Sequence, residues 1–286
     1  MFKTLLTIVL SVALTLGIIK LMPTTASQET AKESVYDRVM RTGTIRCGYF
    51  FVPPEFTVDP KTKKFSGIGY DITEAVGKKL NLHIEWVEEV GFAEMTTGLK
   101  TGRYDAVCSS VFNRAPLAKQ ATFSIPFMYT PTGAFARSED IRFDDGLQKL
   151  NSDKFIISAI DGEVSGEIAD EEYPLAKRLS LPQHTDISML LENVADKKAD
   201  VSLTYMASFY LYTKSHPGVL KIINKDGPIR AFGNTLMLPL HEPDFKNLID
   251  TALSELINAG TVDAIISKYE FYPNSYYRVT RPYRTP

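Results

Sequence analysis

The sequence predicts an α/β fold with mainly parallel strands, organised as two successive sets of elements. From Val35 onward, short apolar runs alternate with segments of helical periodicity, as in sheets whose strands are connected by helices. The same alternation begins again at Phe155, after a long extended stretch. The chain has 286 residues, of which 44% are hydrophobic. This composition is enough to bury one large core or two of ordinary size.

The first set of elements runs to residue 108. Its first helix begins at Val35 and ends at Gly43, since glycine commonly follows the last residue of a helix. A second helix ends at Leu80, with Ile72 and Val76 on its apolar face. The other elements predicted in this set are strands over 44–48, 83–87 and 104–108, an aromatic loop over 49–56 and a helix over 92–100.

The second set of elements begins near residue 155. It comprises strands over 155–160 and 200–203, a loop over 161–166 and helices over 167–173 and 187–197. Two closing helices, over 244–259 and 262–269, follow later in the chain and lie outside this set. Two extended segments, 126–137 and 229–240, are the places where the chain crosses between the sets. We therefore expect a first lobe of residues 35–132 and 234–286 and a second lobe of residues 133–233.

Charge and composition exclude several functions. The net charge of −2 and a pI near 6.1 leave no basic surface for nucleic acid. Two cysteines and four histidines do not have the spacing of a zinc site, so we expect no metal. Nothing in the sequence indicates a cofactor.

The N-terminus carries an uncharged apolar run over 4–19 between Lys3 and Lys20. A helix of this length would rise about 24 Å, slightly less than a bilayer core of about 30 Å. We assign residues 1–26 to export, either as a cleaved signal peptide or as a retained membrane anchor. Residues 27–34 are polar, which indicates a tether between the export segment and the domain that follows. The domain that follows would work outside the cytoplasm, in the periplasm or at the cell surface.

A series of short motifs in fixed order resembles the family 3, amino-acid-type solute-binding proteins of ABC importers. The motifs are Thr-Ile-Arg-Cys-Gly at 44–48, Pro-Pro at 53–54, Gly-Ile-Gly-Tyr-Asp-Ile at 67–72, Leu-Lys-Thr-Gly-Arg-Tyr-Asp-Ala-Val at 99–107 and Phe-Ser-Ile-Pro-Phe at 123–127. The similarity continues through Ala-Asp-Val at 199–201 and Ala-Gly-Thr-Val-Asp at 259–263, so it covers residues 40 to 270.

This resemblance implies a periplasmic-binding-protein-like fold of type II. Each lobe would be a mainly parallel sheet with helices on both faces, and two hinge strands would join the lobes. We expect the hinge at 130–133 and 231–234, where small residues and glycine can absorb changes in φ and ψ. The implied partners are a small-molecule solute, captured by lobe closure, and an ABC transporter permease. We expect a monomer.

Aromatic residues follow the first two predicted strands, where a ligand of an open α/β sheet would lie. Tyr49 and Phe51 follow the first strand, and Phe92 follows the second, where members of the resembled family commonly have a ring that covers the ligand. We expect these rings to contact the ligand and to accept a cationic group on their faces. Alternatively, Phe50 or Phe51 is ordinary core, because consecutive residues at a strand end point in opposite directions.

The loop predicted after the third strand offers the groups that contact the ligand in the resembled family, here Ser109, Ser110 and Phe112. The family usually places an arginine for the ligand carboxylate in the next helix, and this sequence has Leu117 there. Arg114 lies one helical turn earlier and is our candidate for the anion-binding role. Alternatively, Arg114 is a solvated loop charge.

The second lobe also departs from the family pattern. The family usually carries an aspartate for the ligand ammonium shortly after the strand over 200–203, and this sequence has Tyr205 there. Glu163 is the candidate replacement, and we also expect Ser165, in the same loop, and Tyr205 to contact the ligand. Alternatively, Glu163 only favours the positive end of the helix that follows.

Cys47 and Cys108 are the two cysteines of the chain, and the resemblance makes their strands neighbours. An oxidising compartment permits a disulfide. Parallel neighbours rarely offer the short Cβ separation that a disulfide needs, so we expect two buried thiols.

Three functions fit the sequence. The first is a solute-binding protein of an ABC importer, which is not an enzyme. The second is an exported lyase like cyclohexadienyl dehydratase, with Glu163 or Glu167 as general acid and Arg114 holding a substrate carboxylate. The third is a sensory ligand-binding module.

Overall fold

The protein was analysed as a computed structural model that describes residues 33–280. The predicted export segment over 1–26 and residues 27–32 of the predicted tether lie outside the described residues. The chain divides after Ser34, and the following description concerns the unit that begins at Val35. Among the described residues, no helix is both long enough and apolar enough to cross a bilayer.

Strands and helices alternate along the described part of the chain. The strands are β1 (Thr44–Tyr49), β2 (Thr57–Val58), β3 (Phe65–Ser66), β4 (His83–Glu89), β5 (Ala106–Phe112), β6 (Thr122–Phe123), β7 (Met128–Arg137), β8 (Ile156–Ile160), β9 (Lys177–Leu181), β10 (Val201–Tyr205), β11 (Leu220–Ile222), β12 (Arg230–Leu238) and β13 (Tyr277–Arg278). The helices are α1 (Val35–Thr42), α2 (Ile68–Leu80), α3 (Met95–Thr101), α4 (Ala115–Ala118), α5 (Val164–Glu172), α6 (Ser188–Ala195), α7 (Met206–Ser215), α8 (Pro243–Asn258) and α9 (Thr261–Tyr269).

Two groups of parallel strands form the ends of one sheet. Strands β4, β1 and β5 are parallel neighbours at one end, and β10, β8 and β9 are parallel neighbours at the other. Strands β12 and β7 lie between the groups and are antiparallel to each other. They pair from Arg230 opposite Thr132 to Asn234 opposite Met128. These two strands fall within the predicted crossing segments and link the two parallel groups.

Amphipathic helices cover the parallel group that contains β1. Helix α2 buries Ile68, Ile72 and Val76 at helical spacing, and α8 buries Ile249 and Leu253 in the same apolar cluster. The other parallel group has apolar clusters of its own on α5, α6 and β10. Each end of the sheet therefore has its own core, as expected for two lobes.

Several elements begin or end at residues other than those predicted. Strand β5 runs to Phe112, so Ser109 and Ser110 are strand residues and the predicted loop over 109–112 is wrong. The extension is possible because β12 supplies an antiparallel partner, with Phe112 opposite Asn234. Helix α5 begins at Val164, earlier than predicted, and α7 was not predicted.

Cys47 and Cys108 form a disulfide, so the expectation of two thiols is wrong. Cys47 is directly opposite Ala106 in the parallel pair of β1 and β5. Cys108 is therefore two positions further along its strand and on the same face of the sheet. At this diagonal position the Cα atoms are 5.6 Å apart, which is within the range that disulfides adopt.

We expect the disulfide to contribute about 4 kcal/mol to the free energy of unfolding, because it closes a loop with a sequence separation of 61 residues. The measurement compares urea unfolding of the parent and of the double variant Cys47→Ala, Cys108→Ala. A reductant should lower the stability of the parent and leave that of the double variant unchanged. Two thiols reacting with a maleimide in the unfolded, unreduced parent would contradict the bond.

Candidate functional site

A cavity lies where the carboxyl ends of strands from both parallel groups meet. Phe50 follows β1, Arg114 follows β5, and Glu163 follows β8. Ligands of open α/β sheets bind at such strand ends. The lining consists of Phe50, Val52, Glu55, Phe92, Met95, Ser109, Ser110, Val111, Phe112, Arg114, Glu163, Val164, Tyr205 and Asn234.

The apolar wall of the cavity uses Phe50 and Phe92, whose ring centroids are 5.0 Å apart. Tyr49 and Phe51 lie outside the lining and pack against Phe56 instead, with centroids 5.4 Å and 5.9 Å from it. Successive side chains of an extended segment point in opposite directions. Phe50 can therefore line the cavity while Tyr49 and Phe51, its two neighbours, point away from it.

A second aromatic group lines the cavity near the crossing strands. The ring of Phe112 stacks on that of Phe232 at a centroid distance of 5.0 Å. Tyr205 meets the edge of Phe112 at 5.4 Å with perpendicular ring planes. Leu117, which occupies the usual arginine position of the resembled family, packs in the same apolar cluster.

Arg114, which follows β5, lines the cavity and contacts residues that follow β8. Its guanidinium donates to Glu167 Oε2 at 2.8 Å and to the carbonyl oxygen of Gly162 at 3.0 Å. The side chain is only 9% exposed. A guanidinium has five N–H donors, so further donors remain for an anionic group in the cavity.

Glu163 both caps α5 and lines the cavity. One carboxylate oxygen accepts from the backbone N–H of Ser165 at 2.7 Å, and the other accepts from the Tyr205 hydroxyl. Burial, followed by the charge of Glu163, raises the pKa of Tyr205 well above its usual value, so this hydroxyl remains a donor. Ser165 lies outside the lining, and its Oγ accepts from the N–H of Ile160 at 3.1 Å, which fixes the loop.

The polar wall near the crossing strands consists of Ser109, Ser110 and Asn234. Ser109 Oγ accepts from the N–H of Phe50 at 3.0 Å. Asn234 Oδ1 accepts from the Thr130 hydroxyl at 2.9 Å. Ser110 has φ +59°, and its buried hydroxyl has no hydrogen-bond partner among the described residues. This hydroxyl is therefore available to a molecule in the cavity.

Glu55 is a cavity residue that the sequence analysis did not identify. It is 2% exposed, and neither carboxylate oxygen has a hydrogen-bond partner among the described residues. Burial raises its pKa to about 7. The nearby Tyr276 hydroxyl opposes this rise, although no hydrogen bond of ordinary geometry joins the two groups. The available sequence signal was an acidic residue inside an otherwise apolar and aromatic loop.

The backbone of Glu55 is held by the start of α2. Its carbonyl oxygen accepts from the N–H of Gly69 at 2.8 Å. A Cβ at Gly67 would lie 2.5 Å from the same oxygen, and Gly67 has φ +128°. Only glycine fits this close approach, so the first glycine of the motif at 67–72 positions the loop that carries Glu55.

Seven of the ten predicted site residues line the cavity: Phe92, Ser109, Ser110, Phe112, Arg114, Glu163 and Tyr205. Sequence reasoning missed Glu55 and Asn234 and did not select Phe50 over its neighbours. Within residues 33–280, no group of three or more His, Cys, Asp or Glu side chains is arranged to hold a metal ion.

Comparison with known proteins identifies a family and individual relatives of this chain. The model of the family described as bacterial extracellular solute-binding proteins, family 3, matches residues 45–272. The chain is 22% identical to a probable amino-acid-binding protein, YxeM, of Bacillus subtilis (strain 168), over 82% of this chain and 84% of that protein. It is 23% identical to the cyclohexadienyl dehydratase of Pseudomonas aeruginosa, over 77% of this chain and 80% of the enzyme.

A solved structure supports the fold. The crystal structure of an ancestral amino acid-binding protein, a precursor of cyclohexadienyl dehydratase, is similar with a TM-score of 0.72 and 20% identity. The similarity covers 83% of this chain and 99% of that one. This likeness confirms the predicted two-lobed α/β fold of type II.

We expect the stability of the protein to depend on pH through Glu55. Its pKa is raised from 4.5 to about 7, so between these values the native protein holds a proton that the unfolded chain releases. The free energy of unfolding of the parent should therefore fall, relative to that of Glu55→Gln, as pH rises through this interval. The fall should total about 3 kcal/mol, since each pKa unit is worth about 1.4 kcal/mol.

Urea unfolding over this pH range checks the expectation, with Glu139→Gln, an exposed change outside the cavity, as the control. The control should follow the parent. A pH-independent difference between the parent and Glu55→Gln would contradict the raised pKa.

Proposed function

Because the chain belongs to the bacterial extracellular solute-binding proteins of family 3, we propose that it captures an amino acid, or a related carboxylate that carries an amine, for an ABC importer. The family itself implies a small-molecule solute, a location outside the cytoplasm and an ABC transporter as partner. The amino-acid-binding relative supports the chemical class of the solute.

The observation that carries this proposal is the pair of opposite charges on the two sides of one cavity. Arg114 follows β5 in one parallel group, and Glu163 follows β8 in the other. Arg114 has guanidinium donors left for a carboxylate, and each oxygen of Glu163 has a second lone pair for an ammonium. The pair therefore takes the place of the arginine and aspartate that the family usually has where Leu117 and Tyr205 stand.

Closure of the lobes on the ligand is part of the proposal. Arg114 contacts Gly162 and Glu167 across the cleft, and the N–H of Ala93 donates to Gln183 Oε1 at 3.0 Å. A ligand that interacts with both sides stabilises this closed arrangement. We place the first lobe at 35–132 and 234–286, the second lobe at 133–233, and the hinge at 130–133 and 231–234, within β7 and β12.

We further propose that the protein acts as a monomer in the periplasm or at the cell surface. The N-terminal segment over 1–26 would direct export as a signal peptide or hold the protein as an anchor. The disulfide between Cys47 and Cys108 supports an oxidising compartment.

A lyase of the cyclohexadienyl dehydratase type is the second candidate. The specific observation in its favour is a buried acid with a pKa of about 7, Glu55, in the same cavity as Arg114. Such a group is suited to general acid catalysis near neutral pH. The 23% identical relative supports this candidate. Turnover of prephenate or arogenate by the parent, lost in Glu55→Gln, would favour the enzyme over the binding protein.

For the binding proposal, we expect Arg114→Ala and Glu163→Gln each to weaken amino-acid binding by about ten- to a hundredfold. Each variant removes a charge-assisted interaction, which contributes roughly 1.5 to 3 kcal/mol. Isothermal titration calorimetry with a panel of L-amino acids measures the effect. Arg103→Ala is the matched control, since Arg103 pairs with Glu88 on the exposed surface. Unchanged affinity in both cavity variants, or tight binding of an uncharged sugar, would contradict the assignment.

We also expect the radius of gyration to decrease when a binding amino acid saturates the protein, because the lobes rotate towards each other about β7 and β12. Small-angle X-ray scattering with and without the ligand measures this change. A non-binding amino acid from the same panel is the control. An unchanged radius at saturation would show that binding does not require closure.

A further inference from the structure

Glu55 is a buried acid that the proposed pairing of Arg114 and Glu163 with a zwitterion does not use. It is 2% exposed, it lines the cavity, and its two oxygens have no hydrogen-bond partner among the described residues. Burying a charged carboxylate without a hydrogen-bond partner costs free energy, so buried carboxyl groups are normally either paired or neutral. Because Glu55 lines the cavity beside Tyr276, a ligand in the cavity can supply the missing partner.

The other carboxylate of the cavity differs from Glu55 in this respect. Both oxygens of Glu163 already accept hydrogen bonds, from Ser165 and from Tyr205. The single arginine of the lining, Arg114, is directed to Glu167 and Gly162. The lining thus offers one cation and two carboxylates, and Glu55 is the carboxylate that accepts no hydrogen bond of ordinary geometry from the described residues.

We propose that Glu55 is a specificity-determining residue that binds a second positive group, an ammonium or guanidinium at the end of the ligand's side chain. The inference rests on the proposed function, in which Arg114 and Glu163 hold the α-carboxylate and α-ammonium. The ligand class is therefore a cationic amino acid. On binding, the protonated carboxyl of Glu55 releases its proton to solvent, and the resulting carboxylate forms an ion pair with the ligand.

Several ionisable groups surround Glu55. Tyr276 approaches from the segment before β13, and Tyr205 faces the cavity from the end of β10. The pKa of each tyrosine is raised well above its usual value by burial, followed by the charge of a glutamate, so neither titrates near neutral pH. Arg114 and Glu163 are the charged groups on the remaining cavity walls. Glu163→Gln therefore serves as the variant that removes the other carboxylate of the cavity.

The test uses the full-length chain and matched pairs of probes that differ in one charge. The pairs are L-arginine with L-citrulline and L-lysine with L-norleucine. Calorimetric titration at several pH values, in buffers of different ionisation enthalpy, gives both the affinity and the number of protons released. The proteins are the parent, Glu55→Gln, Glu163→Gln and the exposed control Glu139→Gln.

For the parent, we expect the charged probe of at least one pair to bind about ten- to a hundredfold more tightly than its neutral match at pH 8. Its affinity should rise with pH to about 7 and then level off, because the ligand stabilises the ionised form of Glu55. Close to one proton should be released near pH 6 and almost none near pH 8, where the α-amino group of the free probe is still protonated. Glu55→Gln should lose the charge preference and the proton release, whereas Glu163→Gln and Glu139→Gln should retain both.

Two other outcomes would overturn the inference in different ways. If neutral amino acids bind as tightly as charged ones, or the preference survives in Glu55→Gln, the inference fails and the proposed function stands. If no probe binds the parent and a wider panel of L-amino acids also fails, the proposed function fails, and the assignment of Glu55 fails with it. Thermal unfolding of Glu55→Gln shows that a loss of preference does not come from a loss of folding.

Discussion

The antiparallel pairing of β7 with β12 is the constraint on which the rest of the structure depends. These strands run from one parallel group to the other, and their ladder extends from Thr132–Arg230 to Met128–Asn234. Because β12 also pairs with β5 and β7 with β10, the carboxyl ends of strands from both groups face one cavity. The same ladder lies between the two parallel groups in the sheet, which is why we propose the hinge there.

The charged groups of the cavity differ in whether neighbouring residues supply them with hydrogen-bond partners. Arg114 and Glu163 are engaged by protein partners, which hold their side chains in fixed positions before a ligand arrives. Preorganisation of this kind lowers the entropy lost on binding. Glu55 is the opposite case, because its buried oxygens accept no hydrogen bond of ordinary geometry from residues 33–280 and its pKa is raised. The free energy that folding loses at Glu55 can be recovered by a ligand that supplies the missing charge.

In the proposed site, Arg114 and Glu163 act in place of the arginine and aspartate that the family usually has at the positions of Leu117 and Tyr205. Leu117 takes the arginine position and contributes to the apolar cluster, while Arg114 enters the cavity from the residue before α4. Tyr205 takes the aspartate position and donates its hydroxyl to Glu163. In the proposed site, this hydrogen bond positions the Glu163 carboxylate, which follows a different strand from Tyr205.

Local patterns in the sequence determined much of the fold. Hydrophobic periodicity and glycine positions located α1, α2, β1, β4, α8 and α9 to within a few residues, because these signals arise from neighbours along the chain. The two crossing segments were also visible, as long extended stretches between the α/β sets. The order of the motifs was sufficient to indicate the family.

Tertiary structure alone decided the features that depend on distant segments. Ser109 and Ser110 belong to β5 because β12 pairs with it, and Cys47 reaches Cys108 because the register of two strands places them diagonally on one face. Glu55 is buried, its carbonyl oxygen is bound by the N–H of Gly69, and Tyr276, remote in sequence, influences its pKa. A sequence shows which residue carries a charge, but burial, partners and pKa are set by the surrounding chain, and these decide what the charge can bind.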